Sequence, residues 1–188
     1  MWISITDLPP EGRTFIIDEQ SVWTAPMHEF GISGRILSPL RGEILLIPQL
    51  DGEVCGCVVR GRLTGKIALP CDRCAEDACV AIDSSFEDFE PFPADDSPDD
   101  EDKNLFSGDA ADKEIIRLKD GTPQINPEAL LWEEFLLSLP VKPLCRPDCR
   151  GLCASCGQNL NLGKCSCNQD EGDPRLAVLR NLTLTPKQ

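Results

Sequence analysis

Eleven cysteines in a chain of 188 residues constrain this protein more than any other feature, because six of them fall between Cys145 and Cys167, among Pro, Gly and Asn that leave little room for regular structure. The run reads Cys145-x3-Cys149-x3-Cys153-x2-Cys156-x8-Cys165-x-Cys167. Thiols at this density either cross-link or hold metal. The first twenty residues carry Asp7, Glu11, Asp18 and Glu19 with no apolar stretch of signal-peptide length, and no later window approaches a membrane span. A soluble, cytoplasmic protein is expected. A reducing compartment keeps thiols free, so metal binding or redox chemistry is a better reading than a disulfide framework.

His28 is the one histidine, so a zinc site in this chain is built from thiolates alone. In Cys153-Ala154-Ser155-Cys156-Gly157 two thiolates flank a two-residue turn, and the glycine permits the positive φ such knuckles need. With Cys165 and Cys167 this predicts a closed tetrahedral site of four thiolates, for which zinc is the default ion. Four cysteines of similar promise remain: Cys71 and Cys74, and Cys145 and Cys149. Together they could form a second four-thiolate site linking distant parts of the chain, although spacing alone leaves the pairing open. The cofactor expectation is therefore zinc, at one site or two. Cys55, Cys57 and Cys79 lie in β-rich runs and read as core thiols.

Other chemistries fit less well. The spacing matches neither common ferredoxin pattern. A dithiol redox pair at Cys71 and Cys74 would sit on a hairpin, away from the helix dipole that lowers thiol pKa in such pairs. Gly61-Arg62-Leu63-Thr64-Gly65-Lys66 has the residue types of a phosphate loop, but its glycines are too close together and no Ser or Thr follows Lys66. His28, beside Met27 and Phe30, has no nucleophile context and reads as a half-buried structural residue. No catalytic residues are assigned, and no small-molecule substrate is expected.

Short apolar runs separated by Gly and Pro predict strands at Trp2–Ile5, Thr14–Ile17, Gly31–Leu37, Glu43–Ile47, Val54–Leu69 and Cys79–Phe89, an antiparallel sheet or partial barrel over residues 1–91. In the longest run, alternation puts Cys55, Cys57, Val59, Leu63, Ile67 and Leu69 on one face and Val58, Arg60, Arg62, Thr64 and Lys66 on the other. Cys71 and Cys74 then fall at a hairpin tip. Residues 92–113 read as an acidic mobile loop, since the stretch Asp83–Glu114 holds 13 acidic residues against Lys103 and Lys113, a net of -11 out of the chain's -14. Without it the chain is close to neutral, so net charge does not exclude nucleic acid.

Residues 114–143 read as a short strand at Glu114–Leu118, a turn over residues 119–123, and a helix capped by Asn126, opened by Pro127 and stopped by Pro140. Apolar residues cover most of its circumference, predicting burial on more than one side, with Trp132 and Phe135 in the core. Residues 144–188 carry the cysteine knuckle and a terminal helix starting at Asp173. The fold class is α+β.

Three blocks give the chain a resemblance to the bacterial YceD family, known as large ribosomal RNA subunit accumulation protein, which has plastid relatives. They are Leu69-Pro70-Cys71-Asp72-Arg73-Cys74, the stretch from Ile125-Asn126-Pro127 through Trp132-Glu133-Glu134-Phe135 to Leu144-Cys145, and the tail from Cys149-Arg150-Gly151-Leu152-Cys153 to Asn161, ending near Asp173-Pro174-Arg175-Leu176. The resemblance implies a non-enzymatic role in accumulation of large-subunit (23S) rRNA and in ribosome assembly, with pre-rRNA or a pre-ribosomal particle as partner and a ribosomal protein as a second candidate. Some relatives keep the hairpin cysteine pair and a cysteine near the helix while lacking the tail knuckle, which implies that the hairpin pair works with the Cys145 region. For direct RNA contact the residues offer Arg60, Arg62 and Lys66 on one strand face and Arg73 at the adjacent tip, where an ordinary solvated face is the competing reading. An adaptor for a basic ribosomal protein and a zinc-held redox switch are the alternatives in other classes.

Overall fold

The structure, a computed structural model, describes residues 1–50, 55–92 and 114–167. The acidic loop and the terminal helix expected from sequence lie outside the described residues, apart from Phe92. Among the described residues the chain forms β1 (Ile3–Ser4), a 3-10 turn (Ile5–Asp7), β2 (Arg13–Ile17), α1 (Ser21–Glu29), β3 (Arg35–Gln49), β4 (Gly56–Pro70), β5 (Asp77–Pro91), β6 (Ile116–Lys119), β7 (Thr122–Ile125) and α2 (Pro127–Ser138). Two antiparallel sheets result, one ordered β2-β3-β4-β5 and the other β1-β7-β6. The larger sheet is open, so the α+β class holds and no barrel closes.

Three strands of fifteen residues dominate that sheet, β3, β4 and β5. Cys57, Val59, Leu63, Ile67 and Leu69 of β4 are buried as alternation requires, and Leu40, Ile44 and Leu46 of β3 join them. The sequence reading splits β3 in two at Ser38-Pro39, since proline cannot donate to a ladder. The structure keeps one strand by bulging there, with register shifts between Ile36 and Ser38 and between Ser38 and Arg41. Gln20 satisfies the backbone so exposed, its side-chain amide donating to Leu40 O at 2.9 Å and accepting from Leu40 N at 3.0 Å.

Two of the three expected core thiols are corrected. Cys57 is buried, and burial pushes its thiol up to about 11. Cys55 is exposed because it precedes the first paired residue of β4. Cys79 is exposed because Ala78 and Ile82 take the inward positions of β5, leaving odd-numbered residues to face out.

α1 escapes the sequence reading. Gln20 makes no side-chain cap bond and Pro26 sits inside the helix, so both local signals argue against it. Tertiary contact supports it instead, through buried Trp23 and Met27. His28 lies in its last turn and is exposed, not half-buried. β7 is likewise unforeseen, but the turn before it is the expected one, with Asp120 and Gly121 at φ of +53° and +73° as a tight hairpin needs.

α2 runs as expected, with Asn126 Oδ1 accepting from Glu128 N at 3.2 Å and Ala129 N at 3.4 Å. Asn126 is itself buried. Asn126→Ala is expected to lower stability by about 1–2 kcal/mol in urea denaturation, the usual worth of an N-cap. The helix covers β3, β4 and β5 with Leu130, Leu131, Trp132 and Phe135 but leaves Leu136 and Leu137 exposed, so one broad side is buried and not several.

Where α2 meets the end of β5, four carboxylates gather. Burial, then Asp88 and Glu133, raise the Glu90 carboxyl, and burial, then Glu133 and Asp88, raise Glu134. A carboxyl raised in the folded state binds its proton more tightly there than in the unfolded chain, so its penalty is absent in acid and complete above the folded pKa. Glu90→Gln is accordingly expected to raise Tm at pH 7, with the gain shrinking as pH falls toward the carboxyl range.

Candidate metal centre

The β4–β5 hairpin tip spans Cys71 to Glu76. Cys71 N donates to Glu76 O at 2.8 Å and Ala75 N to Cys71 O at 2.9 Å, a closure that requires Ala75 at φ of +61° and turns Cys71 and Cys74 to the same side. After α2, the chain returns past this tip, where Asp72 N donates to Pro143 O at 2.9 Å, and it delivers Cys145 and Cys149 to the same spot. Cys71 Sγ then lies 3.8 Å from Cys149 Sγ, and Cys74 Sγ 3.6 Å from Cys145 Sγ. All four sulfurs lie within 4.8 Å of one another. Four thiolates about 2.3 Å from one ion stand about 3.8 Å apart along tetrahedral edges, so this hairpin centre has the spacing of a single-ion site.

Cys153, Cys156, Cys165 and Cys167 form a second set, also within 4.8 Å of one another. Gly157 N donates to Cys153 O at 2.9 Å with Gly157 at φ of +73°, the knuckle geometry that the sequence predicts. The two centres differ in exposure. Cys71, Cys74 and Cys149 are buried in a small cluster with Ala78, whereas the knuckle centre has only Cys153 buried and Cys156 exposed.

None of the eleven cysteines is in a disulfide. Each set is electrostatically uneven. At Cys71 burial acts upward, but backbone N–H groups of Cys145, Arg73 and Cys74 outweigh it and bring the thiol down to about 6. Backbone N–H groups of Cys156 and Ser155 likewise lower Cys153 to about 6. Burial, then the neighbouring thiols, push Cys145 up to about 12; Cys167 is pushed to about 12 by Cys156 first and then by burial. Four sulfurs so close cannot all ionise without a compensating cation. A thiophilic divalent ion supplies that compensation. The donor set excludes Mg2+ and Ca2+, which take oxygen ligands, and the single-ion spacing leaves no room for a cluster with its own sulfides.

The structure places the four basic candidates differently. Arg60 forms a bidentate pair with Glu87, at 3.0 and 3.2 Å, and Arg62 pairs with Asp83 at 2.9 Å. Lys66 is exposed on the same face. Arg73 turns toward the hairpin centre, its Nη1 donating to Cys149 O at 2.7 Å. Sequence reasoning missed the residues that support the centres. Gly151, at φ of +76°, brings its Cα so close to Arg73 that an added Cβ would lie 2.9 Å from Arg73 O, and Asn161 donates to Cys149 Sγ at 3.2 Å. Their only sequence signal is membership of the quoted tail block.

Fold and site together define an α+β protein with two four-cysteine centres, one joining the β4–β5 hairpin to the tail and one within the tail. The profile of the family described as "Large ribosomal RNA subunit accumulation protein YceD" matches residues 59–183, more than half of the chain and every cysteine of both centres, and the chain belongs to that family. It is 39% identical over 46 residues to the Arabidopsis thaliana "Large ribosomal RNA subunit accumulation protein YCED homolog 1, chloroplastic", a match covering 24% of this chain and 14% of that protein. It is 31% identical over 174 residues to uncharacterized proteins of Mycobacterium bovis and Mycobacterium tuberculosis, covering 87% of this chain and 78% of theirs. No solved structure matches. Among the described residues no helix is long and apolar enough to cross a membrane.

Proposed function

We propose that this protein is a non-catalytic factor in large-subunit rRNA accumulation that binds two zinc ions and acts in the cytoplasm by engaging pre-rRNA or an early assembly intermediate. The family match over residues 59–183 carries this reading, since it takes in the hairpin, α2 and both cysteine sets. Zinc is the ion for which closed four-thiolate sites are the usual structural form. Its role is architectural: it fastens residues 144–167 to the tip of the sheet, so that the tail and the basic face of β4 form one surface. On this reading residues 1–91 and 114–143 make one domain, 92–113 an acidic arm, and 144–188 a metal-organised appendage.

Arg60, Arg62 and Lys66 are the proposed phosphate contacts, with Arg73 at the tip. Both ion pairs are solvent-exposed and therefore weak, so phosphate can displace Glu87 and Asp83 readily. RNA crosslinking followed by sequencing is expected to recover large-subunit precursor, with affinity falling linearly on a log–log plot against salt and dropping on Arg60→Glu/Arg62→Glu. Unchanged large-subunit rRNA on depletion of the protein would refute the reading.

A second reading, an adaptor for a basic ribosomal protein, draws support from the carboxylates Asp88, Glu90, Glu133 and Glu134 at the β5–α2 junction. It requires binding that survives the arginine reversals and is lost when residues 92–113 are deleted.

A further inference from the structure

We infer that the two metal centres bind as one coupled unit in which Asn161 positions Cys149, so that filling the exposed knuckle centre raises the metal affinity of the buried hairpin centre. The inference rests on the two-metal reading and goes beyond it. Between Cys149, a ligand of the hairpin centre, and Cys153, a ligand of the knuckle centre, stand only Arg150, Gly151 and Leu152. This strut is clamped from two sides. On one side Arg73, which lies between Cys71 and Cys74, donates to Cys149 O at 2.7 Å and accepts from Leu152 N at 3.0 Å. On the other side is the loop between Cys156 and Cys165. There Leu160 N donates to Gly151 O at 2.9 Å, Cys153 N donates to Gln158 O at 2.8 Å, and Leu152 bridges to Asn159.

Asn161 belongs to that second loop and reaches the first centre directly. Its Oδ1 accepts from Arg150 N at 2.8 Å, a role that the amide nitrogen cannot fill, so Nδ2 is the group 3.2 Å from Cys149 Sγ. A donor at that position stabilises a thiolate and aims its lone pairs, which is how outer residues tune a metal ligand. The loop carrying Asn161 has little packing of its own, with Leu162 84% exposed. The knuckle ligands at its two ends are what close it. Metal there orders the loop, the loop holds Asn161, and Asn161 holds Cys149; by linkage, metal at the hairpin centre strengthens the knuckle centre equally.

Co2+ bound to the full-length chain in place of zinc gives a thiolate-to-metal charge-transfer band and a direct count of filled sites. In the intact chain two Co2+ are expected. Cys165→Ser/Cys167→Ser is expected to retain one, with affinity at least tenfold below that of the tighter site of the intact chain. Asn161→Asp, which sets a carboxylate against the thiolate, is expected to keep both ions but weaken the tighter one by roughly ten- to a hundredfold, the range for outer-shell partners of metal ligands. Asn161→Ala is expected to move the charge-transfer band to lower energy, because sulfur lone pairs rise when a donor is lost, a shift that general loosening of the loop would not produce. Far-UV circular dichroism checks that each variant keeps its sheet, and Leu162→Ser serves as the neutral control. A knuckle-deleted variant whose remaining site stays within twofold of the intact tighter site overturns the coupling while leaving two metals per chain intact, as does Asn161→Asp with unchanged affinity. An intact chain that binds fewer than two Co2+ overturns the two-metal reading itself.

Discussion

Protein purified under reducing conditions is expected to contain about two zinc ions per chain, and stripping them with a high-affinity chelator is expected to dissolve the order of residues 144–167 while leaving the sheet folded. The expectation follows from how burial is divided. The main core runs from Ile5 through the inner faces of β3 and β4 to Phe135 and has no metal-site cysteine in it. The second cluster consists of Cys71, Cys74, Ala78 and Cys149, with Leu144 and Cys145 at its edge, so thiols are almost all of its substance. Apparent metal-binding energies of about 10–16 kcal/mol at structural zinc sites far exceed what one alanine and one leucine contribute by burial. Zinc content, the far-UV dichroism of the sheet, and the rate of protease cleavage within residues 144–167 measure the three parts of the expectation. Cys71→Ser/Cys74→Ser should bring zinc to about one per chain and free the tail from the hairpin. One zinc in the unmodified protein, unaffected by this replacement, would remove the hairpin centre.

The second large effect lies in the main core. Phe135 is fully buried, with ring centroids 5.2 Å from Trp132 and 5.9 Å from Trp23. It is one of the contacts through which α1 holds to α2, beside the stacking of Phe30 on Trp132. Phe135→Ala removes an aromatic ring where helices and sheet surround the gap and cannot readily collapse, so a loss of about 3–5 kcal/mol is expected. For a chain of this size that corresponds to a fall in Tm of roughly 6–20 °C. Leu137→Ala, two residues along the same helix but 72% exposed, is expected to change stability by no more than about 0.5 kcal/mol. Equal effects from the two substitutions would mean that α2 does not pack as described.

The contrast between these positions shows where sequence reading succeeds. Asn126, Pro127 and Pro140 bound α2 correctly because capping and proline geometry act within a few residues. Apolar composition did not reveal which side of α2 is covered, because Leu130 and Leu137 have the same hydrophobicity and differ only in what lies opposite. α1 was illegible for the converse reason: Pro26 and the uncapped Gln20 argue against a helix locally, and Trp23 reverses that through contacts more than a hundred residues away in sequence. The alternation through Ala78 and Ile82 already points Cys79 outward, whereas Cys55 keeps the inward parity of β4 and is exposed because the ladder begins one residue later, at Gly56.

For the metal centres the division is sharper. The cysteine spacing determined by itself that the tail folds around a knuckle of Cys153, Cys156, Cys165 and Cys167, since ligands within fifteen residues can meet through turns alone. It left the partners of Cys71 and Cys74 undecided. Cys71 and Cys149 are 78 residues apart, and only a hairpin tip held by Asp72 against Pro143 can bring them to 3.8 Å. Tertiary structure alone also decided that Arg73 donates to Cys149 O and that Asn161 reaches Cys149, because hydrogen bonds across folded segments leave no periodicity in the chain. Cysteine density therefore says that this protein carries thiol clusters, and the fold says that one of them, Cys71, Cys74, Cys145 and Cys149, ties its sheet to its tail.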